Sequence, residues 1–240
     1  MKKYFWIIIV VLLIAALVGG FFLWRYYKNR NLASQQTPST AESTTGSTSG
    51  ASSNLAPSMA LAPTLVYPIG SFASRATTNL FGTYYPTGGS SDPDRLVCPN
   101  ATYYPGYHNA VDLETTSGES IQDIPVFAIA AGTVRQVSAV SGYGGLIVVQ
   151  YNLGGADYTA YYGHINLSTA KVKAGQSVKV GETLADLGPA CSQANGDVRK
   201  HLHFGLHKGT TVDVRGYVPD KTALESWINP TELLKSLGAE

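Results

Sequence analysis

The chain has 240 residues, a formal net charge of +1 and 14% charged residues. That length allows one sizeable domain with extensions. The near-neutral balance makes no electrostatic case for a nucleic-acid partner.

Residues 1–30 read as a cytoplasmic tip followed by a transmembrane anchor. Tyr4 to Trp24 is apolar and carries no charge; as a helix it would run roughly 31 Å, against about 30 Å of bilayer hydrocarbon. Trp6, Trp24, Tyr26 and Tyr27 suit the two membrane interfaces. The alternative is a cleaved signal peptide, whose apolar core usually runs about 7–15 residues. Here the apolar run continues past Gly19-Gly20 into Phe21-Phe22-Leu23-Trp24, which favours an uncleaved anchor. Lys2 and Lys3 on one side and Arg25, Lys28 and Arg30 on the other leave its orientation open on charge alone. Residues 31–62 are Ser, Thr, Ala, Gln and Pro in low-complexity order. They hold too little apolar surface to offset chain entropy and read as a flexible linker.

The composition changes at Pro63, and 63–240 read as the folded domain. Leu65-Val66-Tyr67-Pro68-Ile69 opens it. Residues 86–107 form a loop rich in Pro, Gly, Ser and Asp, long for a compact domain and of a kind that is often functional. Ile121 to Val137 and Leu146 to Tyr162 read as strands, with Val126, Ala128 and Ala130 sharing one face. Helix signals are few. The clearest is Asn229-Pro230-Thr231-Glu232-Leu233-Leu234-Lys235, with Asn as N-cap and Pro in the first helical position. The fold class is therefore mainly β, built of short antiparallel strands, with no repeat of 20–50 residues.

Four of the five histidines lie in three short motifs. In His201-Leu202-His203-Phe204, strand alternation puts two imidazoles on one face and turns Leu202 and Phe204 into a core. Imidazole is a common zinc ligand, so the pair is half a metal site. Tyr107-His108-Asn109-Ala110-Val111-Asp112-Leu113 adds a His and an Asp four apart, which share a face in extended chain. Tyr161-Tyr162-Gly163-His164 brings a further His at the end of a β-prone run. His207 continues the parity of His201 and His203, but Lys208-Gly209-Thr210-Thr211 signals a turn that puts it at the rim. Glu114, Asp157 and Asp186 read as solvated or turn residues.

In order and spacing these motifs resemble the lysostaphin/LytM-type zinc metallopeptidases, endopeptidases of bacterial peptidoglycan. The resemblance covers about residues 63–240. It implies an antiparallel two-sheet LytM-like domain of duplicated hybrid or barrel-sandwich type. It also implies Zn2+ as cofactor, His108, Asp112 and His203 as its ligands, and His201 and His164 as the catalytic pair. Asn79 to Tyr85 resembles the family's strand before the metal motif, Ala131 to Val134 its first strand after it, Tyr143 to Val149 its central hairpin, and Val172 to Glu182 a characteristic turn. Three positions depart from the family pattern. Ala110 stands where Gly is usual, Gly205 where Glu often follows Phe, and Arg199-Lys200 where a small residue and Pro are usual.

Three ligands leave a fourth position for water, the mark of a catalytic zinc. No His-Glu-x-x-His helix is present, so proton transfer falls to His164 and His201, with acid and base roles open between them. The expected protein is a membrane-anchored zinc metalloendopeptidase. It would be single-pass, with its catalytic domain outside the cytoplasm, peptidoglycan peptides as its partners, the membrane bound through the N-terminal helix, and no protein partner identified. Cys98, in the long loop, and Cys191, in the loop before His201, then lie in an oxidising compartment and read as a disulfide flanking the cleft; two free thiols or a thiolate ligand are the alternatives. Two other functions compete. One is a non-catalytic module of the same fold that binds cell wall or activates a wall amidase; retention of every expected ligand argues against it. The other is a biotin or lipoate carrier, suggested by Val178 to Leu184, but no modifiable Lys hairpin is evident.

Overall fold

In a computed structural model, residues 64–75, 77–87 and 93–239 are described. The expected anchor at Tyr4–Trp24 and the linker 31–62 lie outside these residues. Among the described residues thirteen strands follow in order: β1 (Tyr84–Tyr85), β2 (Gly106–His108), β3 (Ala110–Glu114), β4 (Pro125–Phe127), β5 (Gly132–Val140), β6 (Gly144–Leu153), β7 (Ala156–Gly163), β8 (Ile165–Asn166), β9 (Ser177–Val178), β10 (Thr183–Leu187), β11 (His201–Lys208), β12 (Tyr217–Val218) and β13 (Trp227–Ile228). Three short helices accompany them: α1 (Pro93–Val97), α2 (Lys221–Leu224) and α3 (Pro230–Ser236).

The strands pair antiparallel throughout, as expected, but in three sheets rather than two. The large sheet has seven strands in the order β13-β11-β7-β6-β5-β9, with β3 also on β11. Because β7 takes one edge of β11, β3 and β13 share the other, β3 along its first half and β13 along its second. Two three-stranded sheets, β1-β2-β12 and β4-β10-β8, complete the domain. The apolar run of β6 is continuous because the sheet is buried on both faces. Ile147, Val149 and Tyr151 enter the main core with Leu202, Phe204 and Leu206, while Leu146 and Val148 join Tyr143, Tyr161 and Trp227 on the other side. The turn between β6 and β7 is Gly154-Gly155, both at positive φ (60° and 86°), as a two-residue type I′ turn requires.

Three sequence expectations change. The run Ile121 to Val137 is two strands, since the chain turns between Phe127 and Gly132. Only Tyr84–Tyr85 of the Asn79 to Tyr85 segment is a strand. The loop 86–107 contains α1 and ends in β2. The C-terminal helix stands as read, with Asn229 Oδ1 accepting from the Thr231 N–H at 3.1 Å. Among the described residues no helix is long and apolar enough to cross a membrane.

Cys98 and Cys191 form a disulfide, closing a loop of sequence separation 93; in the chain-entropy model a closure of that length contributes about 4.6 kcal/mol. A second tie joins Arg75, whose guanidinium donates to both Glu119 oxygens at 2.8 and 2.9 Å and to the carbonyls of Gly70 and Glu114. The Arg75 hydrogen bonds hold the Glu119 carboxyl down at about 2, against an ordinary 4.5. A lowered folded-state value stabilises above the unfolded value and is lost as pH falls through the folded one. Glu119→Gln is therefore expected to cost roughly 1 kcal/mol at pH 7, after discounting for the carboxylate's exposure, and close to nothing at pH 2. Urea unfolding of both proteins at the two pH values checks this; an equal difference at both would contradict it.

Candidate metal centre

The alternation of β11 and its register on β3 build the site. Leu202 and Phe204 face the main core, so His201 and His203 face the opposite side. On β3, Asp112 lies directly across from His203 and Glu114 across from His201. His108 arrives from the small sheet, where it ends β2 opposite Tyr217. Its N–H donates to Thr83 O at 2.8 Å, and Asn109 Nδ2 donates to Arg215 O at 2.6 Å, fixing the step from one sheet to the next.

Three atoms converge. His108 Nε2 and His203 Nδ1 are 3.1 Å apart, and each lies 3.2 Å from Asp112 Oδ1. All three residues are buried, and their ligand-type atoms lie within 4.8 Å of one another. The tautomers follow from neighbouring carbonyls, which only accept. His108 Nδ1 donates to Leu80 O at 3.3 Å, leaving Nε2 as a lone pair toward the cluster. His201 Nδ1 donates to Arg199 O at 2.9 Å and His164 Nδ1 to Asn195 O at 2.8 Å, so both keep Nε2 free to accept. The His164 and His201 rings are 4.3 Å apart, and His201 Nε2 is 3.5 Å from Asp112 Oδ2.

Burial sets the charge states. It pushes His164 down to about 3, helped by the neighbouring His203, and drives His201 well below the ordinary imidazole range, helped by the Arg199 guanidinium. Burial alone would raise the Asp112 carboxyl, but the imidazoles of His108 and His201 hold it well below the usual range. Burial lowers His203 as well, so the Asp112 carboxyl and these three imidazoles are all shifted downward. His164 is also strained: its φ of 65° is left-handed, a conformation that costs a non-glycine side chain about 1–2 kcal/mol. Gly163 before it is required, since a Cβ there would come within 2.5 Å of the Tyr143 ring.

Five contributors escaped the sequence reading. Arg199, 6% exposed, reaches Asp112 Oδ2 at 3.0 Å, Asp94 Oδ1 at 2.5 Å and Glu114 Oε1 at 2.8 Å. Glu114 is thus paired rather than solvated. Asn79 Nδ2 donates to Asp112 Oδ2 at 2.8 Å, and the Tyr143 hydroxyl lies 3.3 Å from His203 Nε2. One signal was available: Arg199 has the parity of His201 and His203, and Glu114 that of Asp112. His207 packs half-buried on Trp227 away from the cluster, in keeping with its expected rim position.

The donor set fits a divalent cation. Asp112 Oδ1 is buried and receives no hydrogen bond, and it faces an imidazole nitrogen that carries no proton. Three carboxylates, of Asp94, Asp112 and Glu114, bond the guanidinium of Arg199. Two imidazole nitrogens and a carboxylate oxygen suit zinc. Above the cluster lies a cleft of 280 Å³, walled by Thr102, Tyr104 and Pro105 of the long loop, by Tyr143, and by Val214 to Tyr217.

Residues 106–214 match the sequence model of Peptidase family M23. A Pseudomonas aeruginosa protein named lipoprotein NlpD/LppB homolog is 28% identical over 68% of this chain and 45% of its own length. The uncharacterized lipoprotein YgeR of Escherichia coli is 30% identical over 75% of this chain and 59% of its own. The murein hydrolase activator NlpD of Salmonella dublin is 30% identical over 53% of this chain and 30% of its own. The chain therefore spans only part of the length of each. Two of these relatives are named lipoproteins, which overturns the expected single-pass helical anchor in the cell membrane: acyl chains, not a spanning helix, hold a lipoprotein at its surface.

Proposed function

Because the chain carries a domain of peptidase family M23, we propose that it is a zinc metalloendopeptidase that hydrolyses peptide bonds of bacterial peptidoglycan, with 63–240 as its catalytic domain. The observation that carries the reading is the bare, buried Oδ1 of Asp112 between two imidazole nitrogens. His108, Asp112 and His203 would hold the ion. Zinc in such a site supplies Lewis acidity toward the scissile carbonyl and lowers the pKa of a water from about 15.7 to about 7. His201 and His164 supply the proton chemistry. Each is anchored through Nδ1–H to a backbone carbonyl, and each offers an unprotonated Nε2. An imidazole so held accepts a proton from the attacking water and returns it to the departing amine. The Tyr104 and Tyr217 walls orient the peptide and limit access of bulk water.

A second reading is favoured by one relative's name, murein hydrolase activator: a module that stimulates a separate wall hydrolase. Purified full-length protein incubated with isolated peptidoglycan separates the two. The peptidase releases peptides with new amino termini, and a chelator stops it. An activator releases nothing alone and works only when a wall amidase is added.

A further inference from the structure

The residues before His201 depart from the family pattern, and the departure meets Asp112 directly. The two oxygens of Asp112 have different surroundings. Oδ2 accepts from Arg199 Nη2 at 3.0 Å and from Asn79 Nδ2 at 2.8 Å. Oδ1 accepts from no donor and faces His108 and His203. A carboxylate saturated at one oxygen and bare at the other is prepared to give a cation one oxygen rather than two.

The guanidinium is itself locked. Nε and Nη2 fork onto Glu114 at 2.8 to 3.1 Å, Nη1 meets Asp94 Oδ1 at 2.5 Å, and the Arg199 N–H donates to the same oxygen at 3.2 Å. Asp94 sits on α1, whose last turn bonds Cys98 N to Asp94 O at 2.7 Å. The disulfide ties Cys98 to Cys191, and Cys191 N donates to Val198 O at 2.8 Å, next to Arg199. The planar fork therefore cannot swing away from Asp112, and only arginine has donors in that geometry.

Resting on the reading that the triad holds zinc, we propose that Arg199 is a positioning residue for Asp112: with Asn79 it occupies Oδ2 and leaves Oδ1 as the single ligand oxygen. A small residue and Pro, usual at this point in the family, offer no such donor. Arg199 thus takes over the orientation of a ligand, a task that falls to outer hydrogen-bond partners in metal sites generally.

The test uses the full chain. Arg199→Lys keeps the charge and loses the fork, so its effect reports orientation alone. Zinc affinity, measured by competition with a chromogenic chelator, is expected to fall about 10–100-fold. With cobalt in place of zinc, the visible absorption of the variant is expected to weaken as the freed Oδ2 joins as an extra ligand. Arg199→Met removes the charge as well. A purely electrostatic role would make it bind zinc more tightly, whereas positioning makes it bind more weakly. Wild-type affinity with an unchanged cobalt spectrum in Arg199→Lys overturns the proposal, as does tighter binding by Arg199→Met. If Arg199→Met does not fold, Arg199→Lys decides alone. A wild-type chain that takes up no zinc would instead overturn the proposed function, so the two failures are distinct.

Discussion

Replacing His203 by alanine is expected to remove zinc and peptide cleavage together. His203 Nδ1 is 3.1 Å from His108 Nε2 and 3.2 Å from Asp112 Oδ1, at the middle of the cluster. Loss of an outer partner already costs about 10–100-fold in metal affinity, and a direct ligand costs more. The fold should survive, because the apolar residues of β11, Leu202, Phe204 and Leu206, face the other side of the sheet. Elemental analysis and circular dichroism of His203→Ala check both halves. A folded variant that kept a full complement of zinc would show that His203 is not a ligand.

His201→Ala and His164→Asn are expected to behave differently, retaining zinc while cleavage falls about 10²–10⁴-fold, the usual worth of general acid–base assistance. Neither ring has a nitrogen among the three converging ligand atoms. For His164 the stability change is informative as well. At a φ of 65° asparagine is better tolerated than histidine, so His164→Asn is expected to unfold no more easily than the native chain, and by up to about 1 kcal/mol less easily. Slower cleavage with equal or greater stability marks a residue kept for chemistry against its backbone preference. Cleavage at the native rate by either variant would remove that residue from the mechanism, and loss of zinc by either would redraw the ligand set.

The parts of the site that the sequence made legible are those governed by strand alternation. Period two puts His201 and His203 together and sends Leu202 and Phe204 to the core, as found. Alternation within a strand does not reveal which strand lies beside it. The pairing of His203 with Asp112 is a matter of register between segments about 90 residues apart. The ionic lock on Asp112 was invisible for the same reason: Asp94 comes from α1, and Arg199 and Asn79 from two separate loops. Two of the departures from the family pattern also acquire a physical sense through register. Ala110 and Gly205 are directly opposed across β3 and β11. A Cβ on residue 205 would come within 3.4 Å of the Ala110 methyl and 3.3 Å of Trp227. The absence of a side chain at 205 thus suits the close approach of Trp227 and the Asn109 carbonyl. The three-sheet arrangement was hidden because strands of two or three residues, such as β1, β8 and β12, are too short to carry a readable period.

The most direct test of the zinc peptidase reading is the metal content of the purified, folded full-length chain after incubation with zinc and removal of excess ion. About one zinc per chain in the native protein, and none in His203→Ala, is the predicted result. A native chain that stays empty under these conditions would contradict it.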